Sequence, residues 1–142
     1  MKLLKIIFVC TFLLCLNACQ STKHSADALY NTTWEMEYIS GPRIAFQGLY
    51  PDKKPKITFN KTTNTVEGNA SCNGYRADYT LNGNKISFGE PGPTTMMYCG
   101  EGEQTFLRTM KTVTAYSFDE EGKLVLKMDD VDMMRFKKVN DQ

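Results

Sequence analysis

Short runs of alternating apolar and polar residues are the feature that most constrains the fold of this chain. The first run begins at Thr33, where Trp34, Met36 and Tyr38 alternate with glutamates. Successive side chains of a β-strand point to opposite faces, so each run can bury one face and expose the other. Turn residues separate the runs at short intervals, which is typical of an antiparallel all-β domain. We expect about seven to eight strands.

Two pairs of runs are close enough along the chain to form hairpins. The second pair is joined by Asn82-Gly83, a dipeptide that readily adopts the positive φ angles of a two-residue turn. The first pair is joined by a longer polar segment. The predicted hairpins are 56–60 with 65–70, and 76–81 with 84–88.

One segment has a helical period. Between residues 103 and 114 the apolar positions Phe106, Leu107, Met110 and Val113 fall on one stripe of a helix of about three turns. Further alternating runs follow it. The predicted fold class is therefore mainly β with one α-helix, as an antiparallel sheet curled into a partly open barrel with the helix packed across it.

The charge balance argues against nucleic-acid binding. The 142 residues carry 17 basic and 16 acidic side chains, a formal net charge of +1, whereas nucleic-acid binding typically needs a strongly basic surface. The single histidine, His24, precedes the domain, so no histidine-dependent triad can form within it. A glycine-rich phosphate loop and a nucleophile elbow are also missing. We expect no enzyme, no catalytic residue and no cofactor; paired carboxylates or tyrosines are the remaining enzymatic alternative.

The first eighteen residues have the pattern of an export signal. Lys2 and Lys5 precede an apolar run over 6–16 that only Thr11 interrupts. The run is about eleven residues, and a helix needs about 20 apolar residues to span a bilayer. Residues 1–18 therefore predict a cleavable signal peptide rather than a permanent transmembrane anchor.

The end of this signal resembles the bacterial lipobox. Residues 16–19 read Leu-Asn-Ala-Cys, and in a lipobox the peptidase cuts before the cysteine, whose sulfur receives a diacylglycerol. We expect lipid on Cys19, which would hold the protein stably on a membrane; ordinary secretion with a later cut is the alternative. The predicted mature chain has a flexible tether over 19–29, a domain over 30–138 and a tail over 139–142. The expected location is the bacterial cell envelope, on the outer membrane, as a monomer.

After removal of the signal peptide and lipidation of Cys19, two cysteines are left in the domain, Cys72 and Cys99. In an exported domain such a pair indicates one disulfide, and a loop of about 28 residues would give it roughly 3–4 kcal/mol of stabilisation. Two buried free thiols and a two-cysteine metal site are the alternatives. Zinc usually takes four ligands, and no histidine is near to complete them, so we expect no metal.

The sequence around both cysteines resembles a known family. Residues 71–79, Ser-Cys-Asn-Gly-Tyr-Arg-Ala-Asp-Tyr, are similar to the first motif of META domains, the HslJ-like group of small exported bacterial proteins. Residues 95–99, Thr-Met-Met-Tyr-Cys, are similar to the second motif, and the resemblance extends over about 30–138. Ala77 stands where the family pattern has glycine. The resemblance implies a small antiparallel β fold covered by one helix. It also implies a broad link to stress tolerance, drug sensitivity and envelope upkeep, with no established reaction.

Four residues of the first motif are candidates for ligand binding, because amide and phenol groups can orient a small molecule. They are Asn73, Tyr75, Arg76 and Tyr79. The alternative is structural: the asparagine satisfies the backbone of its own turn and Tyr75 packs in the core.

Two functional hypotheses follow from these patterns. The first is a non-catalytic envelope lipoprotein, related to stress or envelope upkeep. It is attached to the membrane through the lipid on Cys19, and its domain binds an unknown envelope protein or a small ligand. The second is an inhibitor of a secreted hydrolase such as lysozyme, which would insert residues 71–75 into the active-site cleft of the enzyme.

Overall fold

The computed structural model describes residues 26–93, 97, 98 and 100–139. In this part of the chain the strands are β1 (Thr33–Ile39), β2 (Lys56–Asn60), β3 (Thr65–Asn69), β4 (Gly74–Asn82), β5 (Lys85–Phe88), β6 (Gly92–Pro93), β7 (Ala115–Phe118), β8 (Leu124–Met128) and β9 (Val131–Val139). The helices are a 3-10 helix (Ala26–Leu29), the single-turn α1 (Phe46–Leu49) and α2 (Gly100–Thr112).

Eight of the strands form a ring of antiparallel pairs. Their order is β3-β2-β1-β9-β8-β7-β5-β4, and β4 pairs back onto β3. The short β6 is added to β4. The pairing between β5 and β7 is the shortest in the ring, and its register pairs Lys85 with Ala115. The mainly β class with a packed helix is therefore confirmed, and the alternating sequence runs are its strands.

The core lies inside this ring and includes a residue that we predicted to be tether. Trp34 of β1 is fully buried, its ring lies 5.7 Å from that of Phe118, and its Nε1 donates a hydrogen bond to the carbonyl of Leu29 at 3.1 Å. Leu29 is itself fully buried. The predicted tether over 19–29 is thus too long, because its last four residues fold as a 3-10 helix against the core. Residues 1–25, including His24 and Cys19, lie outside the described residues.

The hairpin of β4 and β5 forms as predicted, but its turn lies one residue later. Asn82 pairs with Lys85, so the two turn residues are Gly83 and Asn84 rather than Asn82 and Gly83. Gly83 has φ +62°. This register gives a positive φ angle to the residue that lacks a Cβ atom and therefore adopts it at no steric cost.

Helix α2 covers the ring and begins at Gly100, three residues before the predicted start. Phe106 and Met110 are fully buried, and Val113 is buried just after the helix ends. Leu107 is partly buried against the same core. The apolar stripe inferred from the sequence is therefore the face of α2 that packs on the sheet. No helix in the described part of the chain is both long and apolar enough to cross a membrane.

The N-terminal turn of α2 packs closely on α1. Tyr50, next to α1, is buried and donates its hydroxyl hydrogen to the carbonyl of Gly102 at 2.9 Å. A Cβ atom added to Gly102 would overlap the carbonyl oxygen of Leu49 and lie 2.9 Å from Cε1 of Tyr50. The absence of a side chain at Gly102 thus permits this contact between the two helices.

The variant Gly102→Ala tests this packing. Alanine normally stabilises a helix by about 0.5–1 kcal/mol relative to glycine. Here we expect a loss of about 2 kcal/mol in the free energy of unfolding in urea, because the methyl group has no space. Gln104→Ala, at an exposed position of the same helix, should change stability by less than about 0.5 kcal/mol. A Gly102→Ala protein more stable than the wild type would contradict the close contact.

Candidate functional site

The side chain of Asn73 joins three segments of the chain. Asn73 lies between β3 and β4 and is only 3% exposed. Its Nδ2 donates to Oε1 of Glu103, in the first turn of α2, at 3.1 Å and to the carbonyl of Met97 at 2.5 Å. Its Oδ1 accepts a hydrogen bond from the N–H of Met97 at 2.9 Å. One amide group therefore connects the corner of the sheet, the segment before α2 and α2 itself; we call these contacts the Asn73 brace.

The backbone of Asn73 belongs to the same brace. Its N–H donates to Oε2 of Glu103 at 3.3 Å, and its carbonyl accepts from the N–H of Ala70 at 2.9 Å. Nδ2 of Asn69 closes the corner by donating to the carbonyl of Ser71 at 2.9 Å. A carboxylate in the first turn of a helix also interacts favourably with the positive end of the helix dipole. Glu103 therefore accepts hydrogen bonds from both the backbone N–H and the side-chain amide of Asn73. Its place in the first turn of α2 stabilises the negative charge of its carboxylate.

Cys72 lies in this corner and is disulfide-bonded. Cys99 lies outside the described residues. The pairing of Cys72 with Cys99 stays a prediction from the cysteine count and the family resemblance.

The two tyrosines of the motif point into the core. Tyr75 is 1% exposed, its ring contacts that of Phe106 edge-on at 5.3 Å, and its hydroxyl donates to the carbonyl of Lys56 at 3.3 Å. The hydroxyl of Tyr79 lies 3.3 Å from that of Tyr30. Burial raises the pKa of both Tyr75 and Tyr79 well above the ordinary value of 10.0. Both phenols therefore stay protonated in the folded protein at neutral pH.

Arg76 lies on the other face of β4 and is exposed, with Nη2 at 3.4 Å from Oγ1 of Thr65. The hypothesis of one polar ligand site over the four motif residues is therefore corrected. Strand alternation directs Tyr75 and Tyr79 inward and Arg76 outward, and the amide of Asn73 is used by Met97 and Glu103. Ala77 points inward, pairs with Val66 and is not among the residues with positive φ, so the family glycine is not needed for the backbone here.

The surface of the described residues includes two open clefts with several polar side chains. The larger, of about 610 Å³, lies beside the 3-10 helix and β2. Its charged residues include Asp27 and Lys61, which form an ion pair at 2.9 Å, and Nζ of Lys61 lies 5.2 Å from the centre of the Tyr30 ring. The lining residues are Asp27, Tyr30, Asn31, Thr58, Phe59, Asn60, Lys61, Thr62 and Glu67.

The second cleft, of about 490 Å³, lies between α2 and the segment that leads from β1 to α1; we call it the arginine cleft. Two arginines from distant parts of the chain, Arg43 and Arg108, line it. Sequence reasoning missed both, because Arg43 lies outside the alternating runs and motifs and Arg108 lies on the polar face of the predicted helix. The other lining residues are Ser40, Gly41, Pro42, Ile44, Leu49, Glu101, Thr105, Thr109 and Met133.

No group of three or more His, Cys, Asp or Glu side chains among the described residues is placed to hold a metal ion.

The variant Asn73→Asp tests the brace. It keeps the shape of the side chain but turns a donor to Glu103 and to the Met97 carbonyl into a second carboxylate. We expect a loss of about 3 kcal/mol in the free energy of unfolding. Adding Glu103→Gln should restore part of this loss, because the pair then again has one amide and one carboxylate.

Asn84→Asp is the matched control, since Asn84 is exposed in a turn, and it should change stability by less than about 0.5 kcal/mol. Equal effects of the aspartates at positions 73 and 84 would contradict the brace.

The comparisons with known proteins agree with this geometry. No curated protein matches the chain. A solved structure described as an NMR structure of a protein from Burkholderia xenovorans has the same fold, with a TM-score of 0.59 and 22% sequence identity. The match covers 82% of this chain and 88% of that one. The META domain family matches residues 27–141, which include the ring of strands, α2 and the Asn73 brace. The chain therefore belongs to the META domain family.

Proposed function

We propose that the protein is a lipid-anchored lipoprotein of the bacterial cell envelope whose META domain is a non-catalytic binding module. The observation that carries the proposal is that the motif side chains hold the fold together. Asn73 and the two motif tyrosines are buried and engaged in holding the fold. The open clefts are lined by other residues. We infer that the motif maintains the scaffold and that ligands bind at the surface clefts.

The anchor would hold the domain close to the membrane. The lipid is proposed for Cys19, and the fold begins with the 3-10 helix at Ala26. Even fully extended, residues 20–25 reach about 20 Å. The fold would thus begin within about 20 Å of the bilayer surface, which favours ligands or partners that are themselves in the envelope. A role in envelope upkeep or stress tolerance is consistent with this placement.

The geometry gives little support to the alternative of a hydrolase inhibitor. That hypothesis needs residues 71–75 to project into the cleft of another protein. Ser71, Asn73 and Tyr75 are 8%, 3% and 1% exposed. Cys72 is exposed but disulfide-bonded, so the segment offers few protruding side chains of the kind that an inserted inhibitory loop needs.

Metabolic labelling with radioactive palmitate tests the anchor. The wild-type chain should incorporate the label, and Cys19→Ala should not, because the thioether needs the sulfur of Cys19. Cys15→Ala, which removes a neighbouring cysteine of the predicted signal, should be labelled like the wild type. Label retained in Cys19→Ala, or a wild type that takes up none, would refute lipidation at this residue.

A further inference from the structure

We propose that the arginine cleft binds a small organic anion that carries an apolar group. The inference rests on the proposed role as a binding module and names the site and the ligand chemistry. A cleft of about 490 Å³ has the size of small-molecule sites, which combine apolar walls with a few polar groups that fix orientation.

The positive charge of the cleft is unpaired. Neither Arg43 nor Arg108 forms an ion pair or a side-chain hydrogen bond with any described residue. Glu101 also lines the cleft but pairs with neither arginine. By contrast, Lys123 binds both Glu37 and Glu121 at about 3.0 Å. The cleft thus keeps two guanidinium groups available for an external anion.

The guanidinium group determines which anions fit best. Its planar set of donors matches the paired oxygens of a carboxylate, sulfonate or phosphate group, and such charge-assisted bonds are stronger than neutral ones. Arg43 and Arg108 each supply such a guanidinium group to the lining of the cleft. The larger cleft lacks this property, because its lysine is already paired with Asp27.

The walls of the cleft supply the apolar component. Leu49 is buried at its base, and Ile44 at the rim is 48% exposed, although an isoleucine usually lies inside. Covering the exposed surface of Ile44 with an apolar group would favour binding, because it removes apolar area from water. An anion with an apolar group therefore fits the cleft better than a simple inorganic ion does.

Hydrogen bonds fix the position of both walls of the cleft. The N–H of Ser40 donates to the carbonyl of Met133 at 2.8 Å, which connects the end of β1 to β9. On the helix side, the Tyr50 hydroxyl bonded to Gly102 keeps α1 against α2. A site that is already formed loses less conformational entropy when a ligand binds.

Two fluorescent dyes with the same aromatic group test the proposal. 8-Anilinonaphthalene-1-sulfonate carries a sulfonate, and N-phenyl-1-naphthylamine is its uncharged analogue. Titrations use residues 19–142 carrying Cys19→Ala, because the apolar run of the predicted signal peptide and an acyl chain would both take up the dyes. We expect saturable binding of the sulfonate, weakened about tenfold or more by Arg43→Gln with Arg108→Gln. Binding of the uncharged dye should change by less than about twofold, since these substitutions leave the apolar wall intact.

Two further variants locate the binding and serve as controls. Thr105→Trp adds an indole within the cleft without changing charge and should abolish binding of both dyes. Arg76→Gln removes an exposed arginine on the outer face of β4, outside both clefts, and should leave both affinities unchanged. Thermal unfolding of each variant checks that the fold is intact.

Three results would overturn the proposal: no saturable binding of the sulfonate, binding unaffected by the double substitution, or an equal loss in Arg76→Gln. The palmitate experiment is independent of all three. A failed dye titration would leave the lipid anchor standing, and a failed labelling experiment would leave the cleft standing.

Discussion

The carboxamide of Asn73 is the interaction on which the arrangement of this domain depends most. It lies at the corner between β3 and β4, where the ring of strands closes, and contacts Met97 and Glu103 in the segment that leads into α2 and in α2 itself. A buried amide must satisfy its donors and acceptor, because an unpaired polar group in the interior costs about 1–3 kcal/mol. Only a conformation that brings these segments together meets this requirement.

The Asn73 brace also affects the surface of the domain, because it helps to hold helix α2 in place. Glu103 ties the first turn of α2 to the sheet, and Phe106 packs on Tyr75 one turn later. A different face of α2 carries Arg108 into the arginine cleft, which Arg43 also lines. The position of Arg108 relative to Arg43 therefore depends on how firmly the brace and the core contacts hold the helix. In this account the motif acts on ligand binding indirectly, through the placement of α2.

Local patterns in the sequence were sufficient to predict much of the fold. The alternation in Thr33–Ile39 and the helical stripe that includes Phe106 and Met110 depend only on the periods of strands and helices, and both are found in the structure. Contacts between distant segments were not predictable in this way. The meeting of Asn73 with Glu103, the burial of Leu29 and the approach of Arg43 to Arg108 depend on the path of the ring, and no local spacing encodes it. For a structural role of Asn73, the sequence predicted hydrogen bonds from its side chain to the backbone of its own turn. In the structure the side chain forms hydrogen bonds with the backbone of Met97.

Amide hydrogen exchange at Met97 tests the central claim most directly. Met97 is 64% exposed, so its N–H is not protected by burial of its own side chain. The N–H nevertheless donates to Oδ1 of Asn73 at 2.9 Å. We predict that this amide exchanges far more slowly in the folded protein than in an unstructured peptide of the same sequence, because exchange must wait for the brace to open. Exchange at the rate of the unstructured peptide would show that the brace does not hold this segment in solution and would contradict the account.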